Sequence, residues 1–230
     1  PYYGRVYAAW VRYSPPYPLV FVYTDDGGLN WSAIQQVNSP TDRNYGGGLV
    51  VDKQGVVYAV WAAVTSSSPF TEKYTGFAKS TNGGTSWTVT ENAFVTNGIQ
   101  GILPTKQNIR VNSNPQLAID LSGGATNGWL YVVTTQKNTS VAGTDPDIVF
   151  NRSTDGGATW SEGIRVNQDQ LNNSKIQFFP AMTVDEYGGI NVIFYDDRAT
   201  TTDSAGVFLA RSLDNGNSWT EYEISDKNFK

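Results

Sequence analysis

Residues 153–160 read STDGGATW, and three other segments of the chain have the same pattern. They are TDDGGLNW at 24–31, STNGGTSW at 80–87 and SLDNGNSW at 212–219. Each has Ser or Thr first, Asp or Asn third, Gly fifth and Trp eighth. The four tryptophans are 56, 73 and 59 residues apart. A motif that recurs at such intervals indicates that the chain is built from repeated structural units.

Short β-like runs flank every copy of this motif. One run precedes each copy, at 18–23, 74–79, 147–152 and 206–211, and the clearest following runs are 34–38, 163–167 and 221–225. Farther upstream, three units share a pair of runs joined by a Gly-containing turn, at 48–61, 116–134 and 181–195. Asp52, Asp120 and Asp185 end the first run of these pairs. Alternating polarity, β-branched residues and aromatics predict strands, and the Gly clusters predict turns.

Each unit is therefore predicted to contain four consecutive antiparallel strands, A to D. A four-stranded unit must bury its faces against its neighbours, which predicts an all-β fold of the β-propeller type. We expect one domain over 1–230 with four blades, at 1–44, 45–112, 113–173 and 174–230. Only three residues precede the B run of the first blade at 4–10, so this blade is predicted to lack its innermost strand.

The composition excludes several kinds of site. The chain has no Cys and no His, so it has no disulfide, thiolate zinc site, cysteine nucleophile, imidazole ligand or Ser-His-Asp triad. Charged residues are 16 % of the chain and the net charge is −5, which argues against nucleic-acid binding. No apolar run approaches the ~20 residues that a membrane-spanning helix needs.

The motif resembles the Asp box, also called the BNR repeat, of sialidase-like β-propellers. The resemblance implies a structural role in the turn between strands C and D for eight residues: Asp26, Trp31, Asn82, Trp87, Asp155, Trp160, Asp214 and Trp219. The Asp or Asn is expected to accept backbone hydrogen bonds, the Gly to adopt positive φ, and the Trp to pack on the sheet. We further expect the chain to be part of a larger secreted bacterial protein.

In sialidase-like propellers the Asp boxes lie on the face opposite the active site. That implies a functional face made of the B–C loops (11–18, 62–73, 135–147 and 196–205) and the D–A connections (39–44, 94–108 and 167–177). We call this end of the sheets the loop face.

The sialidase reaction requires three arginines, an Asp acid/base and a Tyr activated by a Glu. Only Arg43, Arg198 and Arg12 fall in predicted loop-face segments. Arg110 and Arg165 share a repeated Arg-Val-Asn, which predicts a structural role in strand D. The Arg-Ile-Pro triplet expected near the start of a sialidase domain is absent, and Glu72 is the only Glu in a B–C loop. A complete catalytic set is therefore not predicted.

Two acidic clusters are candidates for chemistry. Asp196, Asp197 and Arg198 follow the B strand of the fourth unit, and could bind sugar hydroxyls or a cation, serve as acid/base, or form a salt-bridged strand exit. Asp145 and Asp147 could bind Ca²⁺, or lie in a Pro-bounded turn.

A second group of candidates is suited to ligand binding rather than catalysis. Tyr13, Tyr17 and Phe70 lie in Pro-containing loops and could stack on sugar rings, with Arg43 and Asp203 as polar partners. They could equally pack against neighbouring loops.

The leading hypothesis is an extracellular or cell-surface module that binds a glycan, or serves in adhesion, without catalysis or a required cofactor. The alternatives are a sialidase-like glycoside hydrolase that uses Asp196 or Asp197, and a structural propeller segment completed by further blades, a homodimer or strand exchange at the incomplete blade. One such closure would use Asn228 and Phe229.

Overall fold

The structure is a computed structural model that describes residues 2–200 and 203–230. Over these residues the regular structure is β, apart from one 3-10 helix at Pro104–Lys106. The prediction of an all-β chain is confirmed. Thr201 and Thr202, within the candidate loop 196–205, lie outside the described residues.

Four antiparallel sheets follow one another along the chain, and in each the strands are ordered in space as in sequence. The first sheet contains β1 (Val6–Val11), β2 (Leu19–Thr24) and β3 (Gln35–Gln36). The second contains β4 (Arg43–Val51), β5 (Val57–Val64), β6 (Glu72–Ser80) and β7 (Thr88–Val95). A separate hairpin, β8 (Gly101–Leu103) and β9 (Ile109–Val111), comes next.

The third sheet contains β10 (Gln116–Ile119), β11 (Leu130–Gln136), β12 (Asp147–Ser153) and β13 (Ile164–Arg165). The fourth contains β14 (Gln177–Val184), β15 (Ile190–Asp196), β16 (Gly206–Ser212) and β17 (Thr220–Glu223). These strands coincide with the runs that the repeat predicted.

The sheets pack face to face in sequence order. Phe21 of the first sheet shares a core with Trp61 of the second, Phe77 of the second with Leu130 of the third, and Phe150 of the third with Phe194 of the fourth. Strands β5 and β11 are buried along their whole length, because neighbouring sheets cover both of their faces. In β16 the residues alternate between buried and half-buried, because only one face of the fourth sheet is covered.

The four Asp-box turns share one hydrogen-bond scheme, as predicted. In each, the Asp or Asn side chain accepts the backbone N–H of the residue four positions later at 2.9 Å; the acceptors are Asp26, Asn82, Asp155 and Asp214. These bonds favour the charged carboxylate: backbone N–H donation from Asn30 lowers the pKa of Asp26 to about 2, and the hydroxyl and N–H of Thr159 do the same for Asp155.

The aspartates that follow the A strands β4, β10 and β14 also stabilise turns. Asp52 accepts the backbone N–H groups of Gln54 and Val56 at 2.9 and 2.8 Å, and Asp185 accepts those of Tyr187 and Gly189 at 3.0 and 2.8 Å. The recurrence of these aspartates therefore has a structural cause.

Two features differ from the sequence prediction. Arg110 was placed in strand D of the second unit, but that strand is β7, and Arg110 lies in β9 of the separate hairpin. The repeated Arg-Val-Asn misled because it occurs in two different structural settings. Among the described C-terminal residues, Phe229 forms an isolated antiparallel bridge with Ala205, just before β16, and β1 remains an edge strand. The described residues contain no helix long and apolar enough to cross a membrane.

Candidate functional site

Four of the five predicted ligand-binding residues converge at the loop face. The guanidinium carbon of Arg43 lies 5.6 Å from the ring centroid of Tyr13, 4.7 Å from that of Tyr17 and 4.5 Å from that of Phe70. Arg43 begins β4, the two tyrosines follow β1, and Phe70 follows β5. Three rings from two loops therefore surround one guanidinium, at distances typical of cation–π contacts.

The two loops present their aromatic rings through the same turn. Tyr17 donates its backbone N–H to Ser14, and Phe70 donates its own to Ser67, both at 2.8 Å. Tyr17 has φ 60° and Phe70 has φ 64°, so each ring leaves a left-handed backbone position. Non-glycine residues adopt that region rarely, and such strained positions cluster at functional sites.

The Arg43 guanidinium has no polar partner among the residues that the structure describes. None of their hydrogen bonds or ion pairs involves its side chain, and its buried Nε atom has no acceptor. A buried guanidinium donor without an acceptor carries a desolvation penalty.

Tyr45 and Arg110 extend this surface. Burial and a hydrogen bond with Tyr45 raise the pKa of Tyr13, while the positive charges of Arg43 and Arg110 act in the opposite direction. Arg110 is exposed and likewise makes no hydrogen bond or ion pair with the described residues. Two arginines without acidic partners among the described residues thus both act on Tyr13, in a chain whose net charge is −5.

Tyr45 separates two clefts. One, of about 360 Å³, is lined by Tyr45, Phe70, Gln100 and Arg110. The other, of about 340 Å³, is lined by Trp10, Tyr13, Tyr45 and Asn114. The side-chain oxygens of Gln100 and Asn114 are buried and have no hydrogen-bond partner among the described residues.

We call the surface formed by Tyr13, Tyr17, Arg43, Tyr45, Phe70 and Arg110 the Arg43 surface. Sequence reasoning missed Tyr45 and Arg110. The length of the connection at 94–108 was a usable signal for Arg110, because an unusually long loop with its own hairpin often carries function.

Glu72 holds this connection in place. Its carboxylate is buried and accepts the backbone N–H of Ser113 at 2.8 Å and that of Gln100 at 3.1 Å. No cation pairs with it among the described residues, and burial raises its pKa. Glu72 therefore positions the segment that contributes Gln100 and Arg110.

The fifth predicted ligand residue, Asp203, lies elsewhere. It borders a separate cleft of about 370 Å³ between the β8–β9 hairpin and the fourth sheet, with Phe178, Tyr195 and Phe229 on its apolar side. Gln107 donates to the Asp203 carboxylate and Lys230 pairs with it at 3.0 Å, and these contacts lower its pKa.

The carboxylate of Asp196 is enclosed rather than presented to a ligand. It is fully buried and accepts the backbone N–H and the Nε of Arg198, both at 2.7 Å. Arg198 also donates both of its Nη groups to Glu221, at 2.7 and 2.9 Å, and lies over the ring of Phe208. Burial raises the pKa of Asp196.

Asp197 points to different partners. One carboxylate oxygen accepts the backbone N–H of Ile176 at 2.7 Å, and the other pairs with Lys106 at 2.7 Å. Both members of this ion pair are buried. The structure thus has Asp196 and Asp197 in two separate ion pairs, the arrangement of a salt-bridged strand exit.

The two calcium candidates also have other partners. Asp147 pairs with Arg165 at 3.1 Å and accepts Asn167 Nδ2 at 2.6 Å, while Asp145 accepts the backbone N–H of Ser174. Nowhere in residues 2–200 and 203–230 do three or more acidic side chains converge in a way that would hold a metal ion.

Residues 22–33 match the BNR/Asp-box repeat. No curated protein matches the sequence. Among solved structures, the Penicillium chrysogenum alpha-L-arabinanase complexed with arabinobiose aligns at 15 % identity with a TM-score of 0.69, covering 96 % of this chain and 63 % of that one. The fold is that of a BNR-repeat β-propeller.

A Dyadobacter fermentans protein of unknown function aligns at 15 % identity and a TM-score of 0.66, covering 96 % of this chain and 65 % of that one. The Hadza microbial sialidase Hz136 aligns at 14 % identity and a TM-score of 0.53, covering 91 % and 45 %. The propeller described here thus spans less than two thirds of the length of these chains, and identities this low show the fold alone.

Proposed function

We propose that this chain is a glycan-binding propeller module, acting outside the cell or at its surface, and that the ligand binds at the Arg43 surface. The observation that carries the proposal is the guanidinium of Arg43, which is surrounded by three aromatic rings and has no hydrogen-bond acceptor among the described residues.

The chemistry of the Arg43 surface suits a sugar. Aromatic faces pack against the apolar C–H face of a sugar ring, while arginine and amide groups bond to its hydroxyls. Tyr13, which is 62 % exposed, is free to stack on a ligand. The occurrence of glycosidases among similar structures supports a sugar over other polar ligands.

The proposal is one of binding without catalysis. The loop carboxylates Asp196 and Asp197 are buried and paired with Arg198 and Lys106, so neither is placed to transfer a proton to a ligand. Glu72 is the one acidic residue in the two loops that carry the rings, and it is buried against backbone N–H groups. Asp42, beside Arg43 in the chain, pairs with Lys73 and accepts the hydroxyl of Tyr74.

We also propose that the four sheets are consecutive blades of one domain over 1–230, and that the first blade lacks its innermost strand. Support comes from the strand order. β1 is the edge strand of a three-stranded sheet, whereas in each later sheet one more strand precedes the strand equivalent to β1.

The test is a glycan array probed with the wild-type chain and with Arg43→Ala, beside a panel of fluorogenic glycosides. We expect selective binding that Arg43→Ala abolishes and Lys53→Ala retains. Lys53 is a matched control because it is an exposed cation in the β4–β5 turn, at the opposite end of the sheets. Turnover of any glycoside that Asp197→Asn abolishes would instead establish the hydrolase alternative.

A further inference from the structure

The β8–β9 hairpin has two faces, and each lines a different cleft. In an antiparallel pair, residues opposite each other share a face, whereas consecutive residues point to opposite faces. Ile102 lies opposite Arg110, and Leu103 lies opposite Ile109. Ile102 and Arg110 both line the cleft of about 360 Å³ beside Tyr45, which we call the Arg110 cleft. Ile109 lines the cleft of about 370 Å³ against the fourth sheet, which we call the Phe229 cleft.

The hairpin is held at both ends. At its base, Glu72 accepts backbone N–H groups from the segments that enter and leave the hairpin, as described above. At its tip, Lys106 pairs with Asp197 at 2.7 Å, and Gln107 donates to the carboxylate of Asp203. The hairpin is therefore attached to the second sheet at one end and to the loop of the fourth sheet at the other, and it separates the two clefts.

An aromatic ring forms one wall of the Phe229 cleft. Phe229 is 40 % exposed, and its ring lies 5.5 Å from that of Tyr195, between centroids, in an edge-to-face arrangement. The backbone of Phe229 exchanges two hydrogen bonds with that of Ala205, at 2.9 and 3.0 Å. The backbone thus holds this ring at the cleft, and the position of the chain does not depend on the side chain itself.

Polar groups line the other side of the Phe229 cleft. They are the amide of Gln107, the carboxylate of Asp203 and the ammonium of Lys230. Lys230 pairs with Asp203 at 3.0 Å, but its side chain is 65 % exposed and an ammonium group has three donors, so it can also bond a ligand hydroxyl. An aromatic wall beside hydroxyl-bonding groups is the same combination that favours a sugar at the Arg43 surface.

The size of the two clefts indicates one ligand that extends over both. Sites for small ligands usually measure about 300–1,000 Å³, and each cleft alone is at the lower end of that range. The hairpin between them presents apolar side chains to solvent, since Ile102 is 55 % exposed and Ile109 is 39 % exposed. A chain of sugars that crosses the hairpin would place C–H faces on these side chains and fill both clefts.

We propose that the glycan bound by this chain is an oligosaccharide that crosses the β8–β9 hairpin, with one part in the Arg110 cleft and another in the Phe229 cleft. The ligand is therefore an internal stretch of a glycan chain rather than a single terminal sugar. This inference rests on the proposed function, since it names the class of glycan that the Arg43 surface binds. It adds a second subsite, lined by Ile109 and Phe229.

The experiment compares two probes by isothermal titration: the disaccharide and the hexasaccharide of the glycan backbone that the array selects. We expect wild type to bind the hexasaccharide at least about fivefold more tightly than the disaccharide, which corresponds to about 1 kcal/mol from contacts in the second cleft. Arg43→Ala is expected to weaken the binding of both probes, because both occupy the Arg43 surface.

Two variants of the Phe229 cleft locate the source of the gain. Phe229→Ala and Ile109→Ser are each expected to weaken hexasaccharide binding at least about threefold and to leave disaccharide binding unchanged. Tyr187→Ala is the matched control, because Tyr187 is an aromatic residue, 85 % exposed, in the β14–β15 turn at the opposite end of the same sheet. It is expected to bind both probes as wild type does. Melting curves confirm that the variants are folded.

The outcomes separate this inference from the proposed function. Equal affinity of wild type for the two probes would overturn the inference alone, and so would folded Phe229→Ala and Ile109→Ser variants that bind the hexasaccharide as tightly as wild type. An array that selects one terminal sugar on any backbone would overturn it as well. If wild type bound no glycan, the proposed function and this inference would both be wrong.

Discussion

A Cβ atom on Gly157 would lie 2.1 Å from Cζ of Phe77, because the Asp-box turn of the third sheet lies directly on that ring of the second. The backbone of Gly157 also has φ +89°, a conformation that residues other than Gly rarely adopt. Two separate physical requirements thus select glycine at this motif position, one within the turn and one between sheets.

Gly157→Ala and Gly28→Ala separate these two requirements. Both glycines have positive φ, +89° and +96°, but Gly28 has open space around it. We expect Gly28→Ala to cost about 1 kcal/mol of backbone strain, and Gly157→Ala to cost a further ~1–3 kcal/mol from overpacking against Phe77. Urea unfolding measures both. Equal losses would show that the contact with Phe77 carries no energy.

Asp155→Ala is expected to destabilise the third Asp-box turn by about 1 kcal/mol, because the backbone N–H and hydroxyl of Thr159 lose their acceptor in a turn open to solvent. Asp155→Asn is the matched control. Asn82 already holds the equivalent turn, accepting the N–H of Ser86 at 2.9 Å, so the Asn variant is expected to retain most of the stability at neutral pH.

The comparison of wild type with Asp155→Asn also predicts how stability depends on pH. The pKa of Asp155 is lowered from 3.8 to about 2, so its contribution is present above pH 3.8 and lost as pH falls toward 2. Wild type is therefore expected to lose stability relative to Asp155→Asn over that window. A constant difference between the two unfolding free energies from pH 5 to pH 2 would contradict the assignment.

For Glu72 we expect the opposite pH dependence of stability. Burial raises its pKa above 4.5, so the stability it contributes is fully present below pH 4.5 and is lost as pH rises through the raised value. In Glu72→Gln this dependence disappears. We expect the variant to be less stable at pH 4.5, since its amide N–H₂ faces a backbone N–H, and to recover relative to wild type as pH rises. Parallel curves would show that Glu72 has an unperturbed pKa.

Much of the fold was predictable from the sequence because it repeats. The strands of the four sheets, apart from β7, and the hydrogen bonding of the turns at Asp26, Asn82, Asp155 and Asp214 follow from a motif whose physics is local. The contacts of Trp87, Trp160 and Trp219 with the preceding sheets were not predictable, since they depend on how the sheets stack.

The candidate site was predictable only in part. Tyr13, Tyr17, Arg43 and Phe70 could be chosen because they lie in loops at one end of the sheets. Arg110 was missed because its repeated tripeptide resembles that of strand D, although the length of the connection before its hairpin was a usable signal. Asp196 and Asp197 appeared reactive in sequence. Lys106, which pairs with Asp197, and Glu221, which shares Arg198 with Asp196, are distant in sequence and could not be assigned as partners there.

The central claim is that the Arg43 surface binds a glycan through an unpaired guanidinium among aromatic rings. Isothermal titration of the strongest array glycan into wild type, Arg43→Ala, Arg43→Lys and Lys53→Ala tests it most directly, with melting curves confirming that all four are folded. The account predicts a loss of affinity of at least about tenfold for both Arg43 variants, since losing a charged hydrogen bond costs about 1.5–3 kcal/mol, and an unchanged affinity for Lys53→Ala. Unchanged affinity in folded Arg43→Ala would contradict it.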